Sequence, residues 1–504
     1  MTSDTWLKAL SDTTGQTSMS YRYSGALAAV LFPALLAGCA SAPSLPPRST
    51  LSAGTGVESD ALPARWWRLY GDPALDAQVE EALANNRDLR AASAHLLAAQ
   101  AMQSEARSAT LPTTSLSAGA GEGSTLQDQI AAADGRPVRT GPRLDLGGDV
   151  AWELDLFGRL RATVRAARAD TAATAAETDA VRVLIVADVT GAWLRACGYA
   201  VQTDLARRAL ALAQAERDLA ARSLAAGMGL PADVLRADAV VAQTRAMIAP
   251  LDARRHGALV ELAVLSGHMP SDIPAAATAC TRLPVMTAIL PVGDGAALLR
   301  RRPDVRAAEQ RLAASTARIG IAVADLYPRI SLDGGAALSS PSVAGLGAPD
   351  NMIWRLGPLL SWSFPNISVA RARIRQARAG EAEALARFDA AILKALAEVN
   401  RAGASYGAAL ARQQDLRLAA GLRADLAHLA QLERAGGTAS AQDVVEAQRG
   451  DVAAQTDLAV AGSDVAAAQV ALFKALGGGW EAEPAALSAS TRSTPIPALA
   501  TARK

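Results

Sequence analysis

Residues 150–162 read VAWELDLFGRLRA, and the rhythm of the stretch changes at its glycine. Val150, Trp152, Leu154 and Leu156 alternate with Ala151, Glu153 and Asp155, the period of a strand with one apolar face. From Arg159 onward, arginines and alanines fall into a pattern of helical period. The chain therefore passes from a strand straight into a helix. Counted on to the next glycine break, at Gly227, that helix is about 100 Å long at 1.5 Å per residue. Such a length implies coiled-coil packing.

The same plan is written twice. Residues 158–267 lie over residues 368–477 at a constant offset of 210, with RATVRAARA (161–169) over RARIRQARA (371–379) and AGMGLPADVLRAD (226–238) over GGTASAQDVVEAQ (436–448). Upstream, at an offset of 216, RDLRAASAHLLAA (87–99) lies over PDVRAAEQRLAAS (303–315), and LPTTSLSAGAG (111–121) over YPRISLDGGAA (327–337). Two copies of a long unit indicate pseudo-symmetry rather than a solenoid, which needs three or more short repeats. Each copy predicts a helix (roughly 73–108 and 303–324), a strand ending in glycines, a loop and a second strand. A long helix follows, then a turn at Gly227 and Gly229 or at Gly436 and Gly437, then a return helix ending at Gly267 or Gly477.

Half of the 504 residues are hydrophobic but only 4% are aromatic; such an alanine-rich chain suits closely packed long helices. The formal net charge of +1 gives no polyanion signature, so no nucleic-acid partner is expected. SGALAAVLFPALLAG (24–38) is too short for a comfortable membrane span and follows the basic Arg22, as in a secretory signal peptide. It ends Leu36-Ala37-Gly38-Cys39, like a bacterial lipobox, which makes Cys39 the expected lipidated first residue. Ala40 behind it resembles lipoproteins sent to the outer membrane. The leader is long and holds Asp4 and Asp12, leaving Met19 as an alternative start. The domain plan is residues 1–38 as signal peptide, 39–60 as lipidated tether, 61–267 as first repeat, 268–300 as connector, 301–480 as second repeat and 481–504 as tail. Cys197 and Cys280 can pair in an oxidising compartment. Because Cys197 lies in a helical pattern, two structural thiols are expected instead.

No segment after the leader reads as a spanning helix, so any spanning part must be β. Before the first long helix, Leu144, Leu146, Val150, Trp152, Leu154 and Leu156 are even-numbered, while Asp145, Asp149, Glu153 and Asp155 are odd. In the second copy Met352, Trp354, Leu356, Leu360, Trp362 and Phe364 are even, against Asn351, Arg355, Ser361 and Ser363, with Ile353 and Leu359 blurring the pattern. An apolar face with Trp152, Trp354 and Trp362 suits lipid, and an odd face bearing four acids suits a water-filled lumen. Four strands cannot close a membrane barrel, so several chains must share one: two give eight strands, three give twelve.

WELDLFGRLRA (152–162), RRPDVRAAEQRLAAS (301–315), YPRISL (327–332), AEVNRA (397–402) and VALFKALGGGW (470–480) resemble TolC-like outer-membrane factors. WWRLYGDPALD (66–76) resembles the N-terminal signature of their lipoprotein branch, the NodT or OprM type. The resemblance implies a mainly α fold with membrane β: a homotrimer whose antiparallel coiled-coil helices form an α-barrel below a shared 12-stranded β-barrel. It also implies a periplasmic adaptor and an inner-membrane pump of the resistance-nodulation-division class as partners. The function implied is a passive efflux duct in outer-membrane lipid, with no cofactor beyond the lipid on Cys39. By the same resemblance the helix turns become periplasmic tips that meet the adaptor, and Asp443 and Glu446 constrict the closed entrance. Asp233 and Arg236 are the first-copy equivalents, and Asp233 reads as a simple helix cap. Ser368-Val369 stands where the family's second copy has Gly-Arg.

Catalysis is not expected. His95, His256, His268 and His428 have no metal spacing, and GAGEG (119–123) has no phosphate-binding helix behind it. The alternatives are a type I protein-secretion duct and a lipid-anchored coiled coil without a pore. The paired alternating strands in both copies argue against the latter.

Overall fold

The computed structural model of the chain describes residues 65–124, 126–138, 140–286, 301–363 and 367–478. Cys39, the leader, the tether, Phe364, the second half of the connector and the tail lie outside the described residues. A 3₁₀ turn at Trp66–Tyr70 leads into α1 (Pro73–Asn85), α2 (Arg87–Ser108), β1 (Thr113–Gly123), α3 (Leu126–Ala133) and β2 (Gly141–Leu154). Next come α4 (Arg159–Ala225), α5 (Pro231–Ala246), α6 (Ile248–Leu265) and α7 (Ala275–Thr278). The second copy runs α8 (Pro303–Ala324), β3 (Arg329–Ser340), β4 (Met352–Ser361), α9 (Ile367–Ala435) and α10 (Ala441–Ala475).

The two long helices have 67 and 69 residues, each about 100 Å. Two expected single helices are interrupted. The one expected over 73–108 breaks at Asn86, whose side chain leaves the helix to accept from Asp88 N and Leu89 N while its Nδ2 donates to Leu265 O at 2.8 Å. The first return helix breaks at Met247, three residues before Pro250, where proline has no N–H to donate. Its second-copy partner, α10, lacks a proline and is continuous. By length and composition α10 could also cross a membrane, contrary to the sequence reading. Half of its apolar window is buried inside the protein, so it serves as a core helix.

The main core lies at mid-height of the helical body. Residues 185–197 of α4 pack there against α1, the end of α6, the end of α10 and the N-terminal turn. Trp66 stacks on Phe473 at 4.4 Å, and Trp193 Nε1 donates to Asp72 Oδ2 at 2.9 Å. Each such buried large side chain contributes about 1.5–3 kcal/mol. Cys197 and Cys280 form a disulfide, Cα atoms 5.2 Å apart, and the expectation of two free thiols is wrong. Cys197 is fully buried as expected, but the connector folds onto α4 and brings Cys280 to it across 83 residues.

Nearer the sheet, α4 lies between α2 and α8, and α9 packs on the far side of α8. Asp170–Arg318, Glu177–Arg311 and Asp179–Arg306 form an antiparallel ladder of ion pairs that fixes the α4–α8 register. Nearer the tips, α4 lies between α10 and the α5–α6 pair, and α9 packs on α10. Thus α4 is covered on both flanks, and twenty-four of its residues are buried. In α9 only Ala370, Ala395, Ala420 and Ala427 are.

Candidate functional site: the sheet faces and the helix tips

The four strands form one antiparallel sheet in the order β1-β2-β3-β4, leaving β1 and β4 as edges. Every pairing joins odd residues to odd and even to even, as in Ser115↔Asp149, Asp149↔Gly335 and Gly335↔Arg355. Alternation within each strand therefore adds up to two coherent faces. The even face carries Leu116, Leu146, Val150, Trp152, Leu332, Trp354, Leu356 and Leu360, all exposed in the single chain. Trp362 is also exposed, just past the end of β4, and Trp152 Nε1 donates to Thr110 O at 3.0 Å.

The odd face carries Asp145, Asp149 and Glu153 in β2, and each is matched by an arginine. Arg143 Nε donates to Asp145 at 2.7 Å, Arg355 to Asp149 at 2.7 Å, and Arg159 to both Glu153 oxygens at 2.9 and 2.6 Å. The acidic face expected from the sequence is charge-paired in the fold: Arg143 and Arg159 are near their acids in the chain, and Arg355 is brought from a remote strand. Asp155 is not in the strand at all. It follows β2 and caps α4, accepting from Leu160 N and Arg161 N at 3.0 and 2.9 Å. Gly158, at φ 78°, makes the bend between strand and helix. The second-copy bend includes residues outside those described. Ile353 and Leu359 sit on the odd face as apolar exceptions.

At the opposite end of the helices the two tips share one backbone device. Gly227 N donates to Leu224 O and Met228 N to Ser223 O; Gly437 N donates to Arg434 O and Thr438 N to Glu433 O. These are matching Schellman motifs, with Gly227 at φ 73° and Gly437 at φ 78°, a conformation that disfavours a Cβ. Gly229 and Gly436 do not adopt positive φ. Gly229 instead permits close packing, since a Cβ there would meet the Ser223–Leu224 backbone at 3.1–3.2 Å.

The tips differ in side chains. In the second, Ser440 N donates to Asp443 Oδ2 at 2.7 Å and Asp443 N to Ser440 Oγ at 3.1 Å, a complete capping box. The hydrogen bonds from the Ser440 hydroxyl and backbone N–H hold the Asp443 carboxyl below its ordinary value. Glu446, one turn further, is exposed and, among the described residues, has no ion pair. In the first tip Asp233 accepts from Leu230 N at 3.0 Å and pairs with Arg236. The backbone hydrogen bond from Leu230 lowers its pKa most. The structure thus brings Asp443 and Glu446 to one exposed tip and neutralises the first-copy equivalents. Among the described residues no group of His, Cys, Asp and Glu is placed to hold a metal ion.

A two-faced membrane-type sheet followed in each copy by a helix of about 100 Å defines an outer-membrane channel protein. The family model described as outer membrane efflux protein matches residues 79–268 and 296–478, and the chain belongs to that family. It is 30% identical over 440 residues to the toluene efflux pump outer membrane protein TtgF of Pseudomonas putida, covering 86% of this chain and 89% of the relative. It is 28% identical to nodulation protein T of Rhizobium leguminosarum bv. trifolii, covering 89% and 96%. Among solved structures it resembles the outer-membrane channel OprN, with a TM-score of 0.78 and 33% identity over 88% of this chain and 100% of that one. VceC of Vibrio cholerae gives 0.73 and 26% over 84% and 100%.

Proposed function

We propose that the chain is the outer-membrane channel of a tripartite efflux system, working as a homotrimer. The observation that carries the oligomer is the half-covered architecture of one chain. The edges β1 and β4 present unpaired backbone, which lipid does not tolerate. The free flank of α9 exposes Leu418, Leu422, Leu426, Leu429 and Leu432, spaced as one helical stripe. Pairing of β4 with β1 of the next copy, and seating of the α9 stripe on the next copy, continues both the sheet and the helical wall. Three copies give twelve strands and an aqueous lumen; eight strands would be filled by side chains.

In this reading the even face meets lipid and the odd face lines the duct. Cys39 carries a covalent lipid, and no other cofactor is required. The tips with Gly227, Gly229, Asp233, Gly436 and Gly437 meet a periplasmic adaptor. Asp443 and Glu446, repeated three times, ring the entrance with six carboxylates. Small toxic compounds such as solvents or drugs pass from an inner-membrane pump, in keeping with relatives named for toluene efflux. The chain itself supplies no energy. Single-channel recording in a planar bilayer tests the reading: purified full-length protein should conduct, and more so with Asp443 and Glu446 both changed to Ala. A protein that never conducts, even with both changes, would be a periplasmic coiled coil rather than a channel.

A further inference from the structure

The two copies differ where the long helices leave the sheet. In the first, the start of α4 is neutralised by the chain's own carboxylates. Glu153 takes two hydrogen bonds from Arg159. Asp155 is held by Leu160 N, Arg161 N and Arg161 Nε at 3.0, 2.9 and 3.1 Å. This is an oxyanion bound between a helix N-terminus and a guanidinium.

In the second copy the acids are gone and the arginines remain. At the offset of 210, Glu153 and Asp155 become Ser363 and Pro365, while Arg161, Arg165 and Arg168 persist as Arg371, Arg375 and Arg378. No acidic residue occurs between Asp350 and Glu381. Arg371, Arg375 and Arg378 are exposed and, among the described residues, have no ion pair. Arginines near the start of a helix oppose its dipole, so this end of α9 favours an anion, and among the described residues Asp325 alone brings a carboxylate to it.

A cavity of about 260 Å³ opens at this place, where β3 and β4 meet the end of α8 and the first turn of α9. Ile367, Val369 and Ala370 of that turn line it, together with Arg329, Arg373 and Asp325. Its single carboxylate is shared, since Arg329 and Arg373 each approach Asp325 only to 3.4 Å. Two guanidiniums against one carboxylate leave the lining with one excess positive charge. Trp362 and Tyr327 also line it, the amphipathic aromatics found at a membrane–water boundary.

We propose that this cavity is an oxyanion site, with Arg329, Arg373 and the α9 N-terminus holding a phosphate-type group where the first copy holds Asp155. The phosphate comes either from a phospholipid headgroup of the periplasmic leaflet or from a soluble anion. The lipid source rests on the membrane reading above; the site itself rests on the difference between the copies.

The test uses full-length protein in non-ionic detergent, melted with added phosphatidylglycerol, with phosphatidylcholine, or with inorganic phosphate against chloride at equal ionic strength. Phosphatidylglycerol should raise the melting temperature by about 2–4 °C over phosphatidylcholine. A similar rise with inorganic phosphate alone identifies the soluble anion as sufficient. Arg329→Gln with Arg373→Gln should remove the response. Ser363→Glu, which puts a carboxylate on the cavity lining at the position that Glu153 holds in the first copy, should raise the ligand-free melting temperature and also remove it. Equal melting of the natural protein in all four conditions overturns the proposal. So does a full response in Ser363→Glu, which decides the matter if the double variant does not fold. Conductance, measured separately, shows whether the channel reading stands when the site does not.

Discussion

Arg355 on β4 reaches across β3 to Asp149 on β2, with Nη2 to Oδ1 at 2.7 Å. The strand between them presents Gly335, which pairs with Asp149 on one side and Arg355 on the other. A Cβ on Gly335 would lie 2.5 Å from Asp149 Oδ1, so the absent side chain is what lets the ion pair close over the strand. Both side chains are well exposed, at 74% and 45%, and such pairs contribute about 0–1 kcal/mol. Asp149→Ala should therefore shift the melting temperature little. Gly335→Val should cost more, about 1–3 kcal/mol, because it forces the carboxylate and its strand apart. Thermal melting of the two variants side by side checks the order; equal melting would show that the close approach imposes nothing.

Asp443 is both the N3 member of a capping box and a carboxylate at the tip, and three variants separate the roles. Ser440→Ala removes the cap and keeps the charge; it should destabilise the tip by about 1 kcal/mol and leave conductance unchanged. Glu446→Ala keeps the cap and should raise conductance. Asp443→Ala should do both. Hydrogen exchange at residues 436–446 reads the cap, and bilayer current reads the entrance.

The same cap fixes a pH dependence. With the Asp443 carboxyl held below its ordinary value of 3.8, its contribution is complete above that value and fades as pH falls below it. Tip amides should exchange faster only in that acidic window, and Asp443→Asn should flatten the dependence. A tip that loosens instead as pH rises would contradict the sign.

The Cys197–Cys280 disulfide encloses a long segment running through the first tip. Chain-entropy reasoning assigns such a loop about 2–5 kcal/mol. Cys197→Ser should lower stability by that order, and thiol labelling after non-reducing denaturation should find neither cysteine free in the natural protein. Labelling of both would show that the bond does not form.

Leu422→Arg with Leu426→Arg places charge on the uncovered flank of α9, where the native leucines are 57% and 51% exposed in a single chain. Cross-linking should then trap fewer trimers while the helical content by circular dichroism stays constant. Unchanged trimer yield would mean that the stripe faces solvent in the assembly.

The repeated motifs and the strand alternation were legible in the sequence because they are local and periodic. The switch from period two to helical period at Gly158 needs only neighbouring residues to be recognised, and the offset of 210 places Gly437 over Gly227, as the paired Schellman turns require. Covalent neighbours also betray the tip acids, three positions apart on one helical face.

What sequence alone determined, then, is the order of elements, the two faces of each strand and the duplicated plan. The tertiary structure decided who meets whom. Asn86 leaves its helix because Leu265 O is there to receive it, and Cys280 finds Cys197 only after the connector wraps the core. The odd-face acids meet Arg143, Arg159 and Arg355, and Asp155 becomes a helix cap rather than a lining residue. Periodicity reports which way a side chain points relative to its own backbone. For Asn86, Cys197 and Asp149 the partner lies tens to hundreds of residues away, and only packing brings it within a few ångströms; Asp145, Glu153 and Asp155 find theirs within six residues, in a geometry that periodicity does not report.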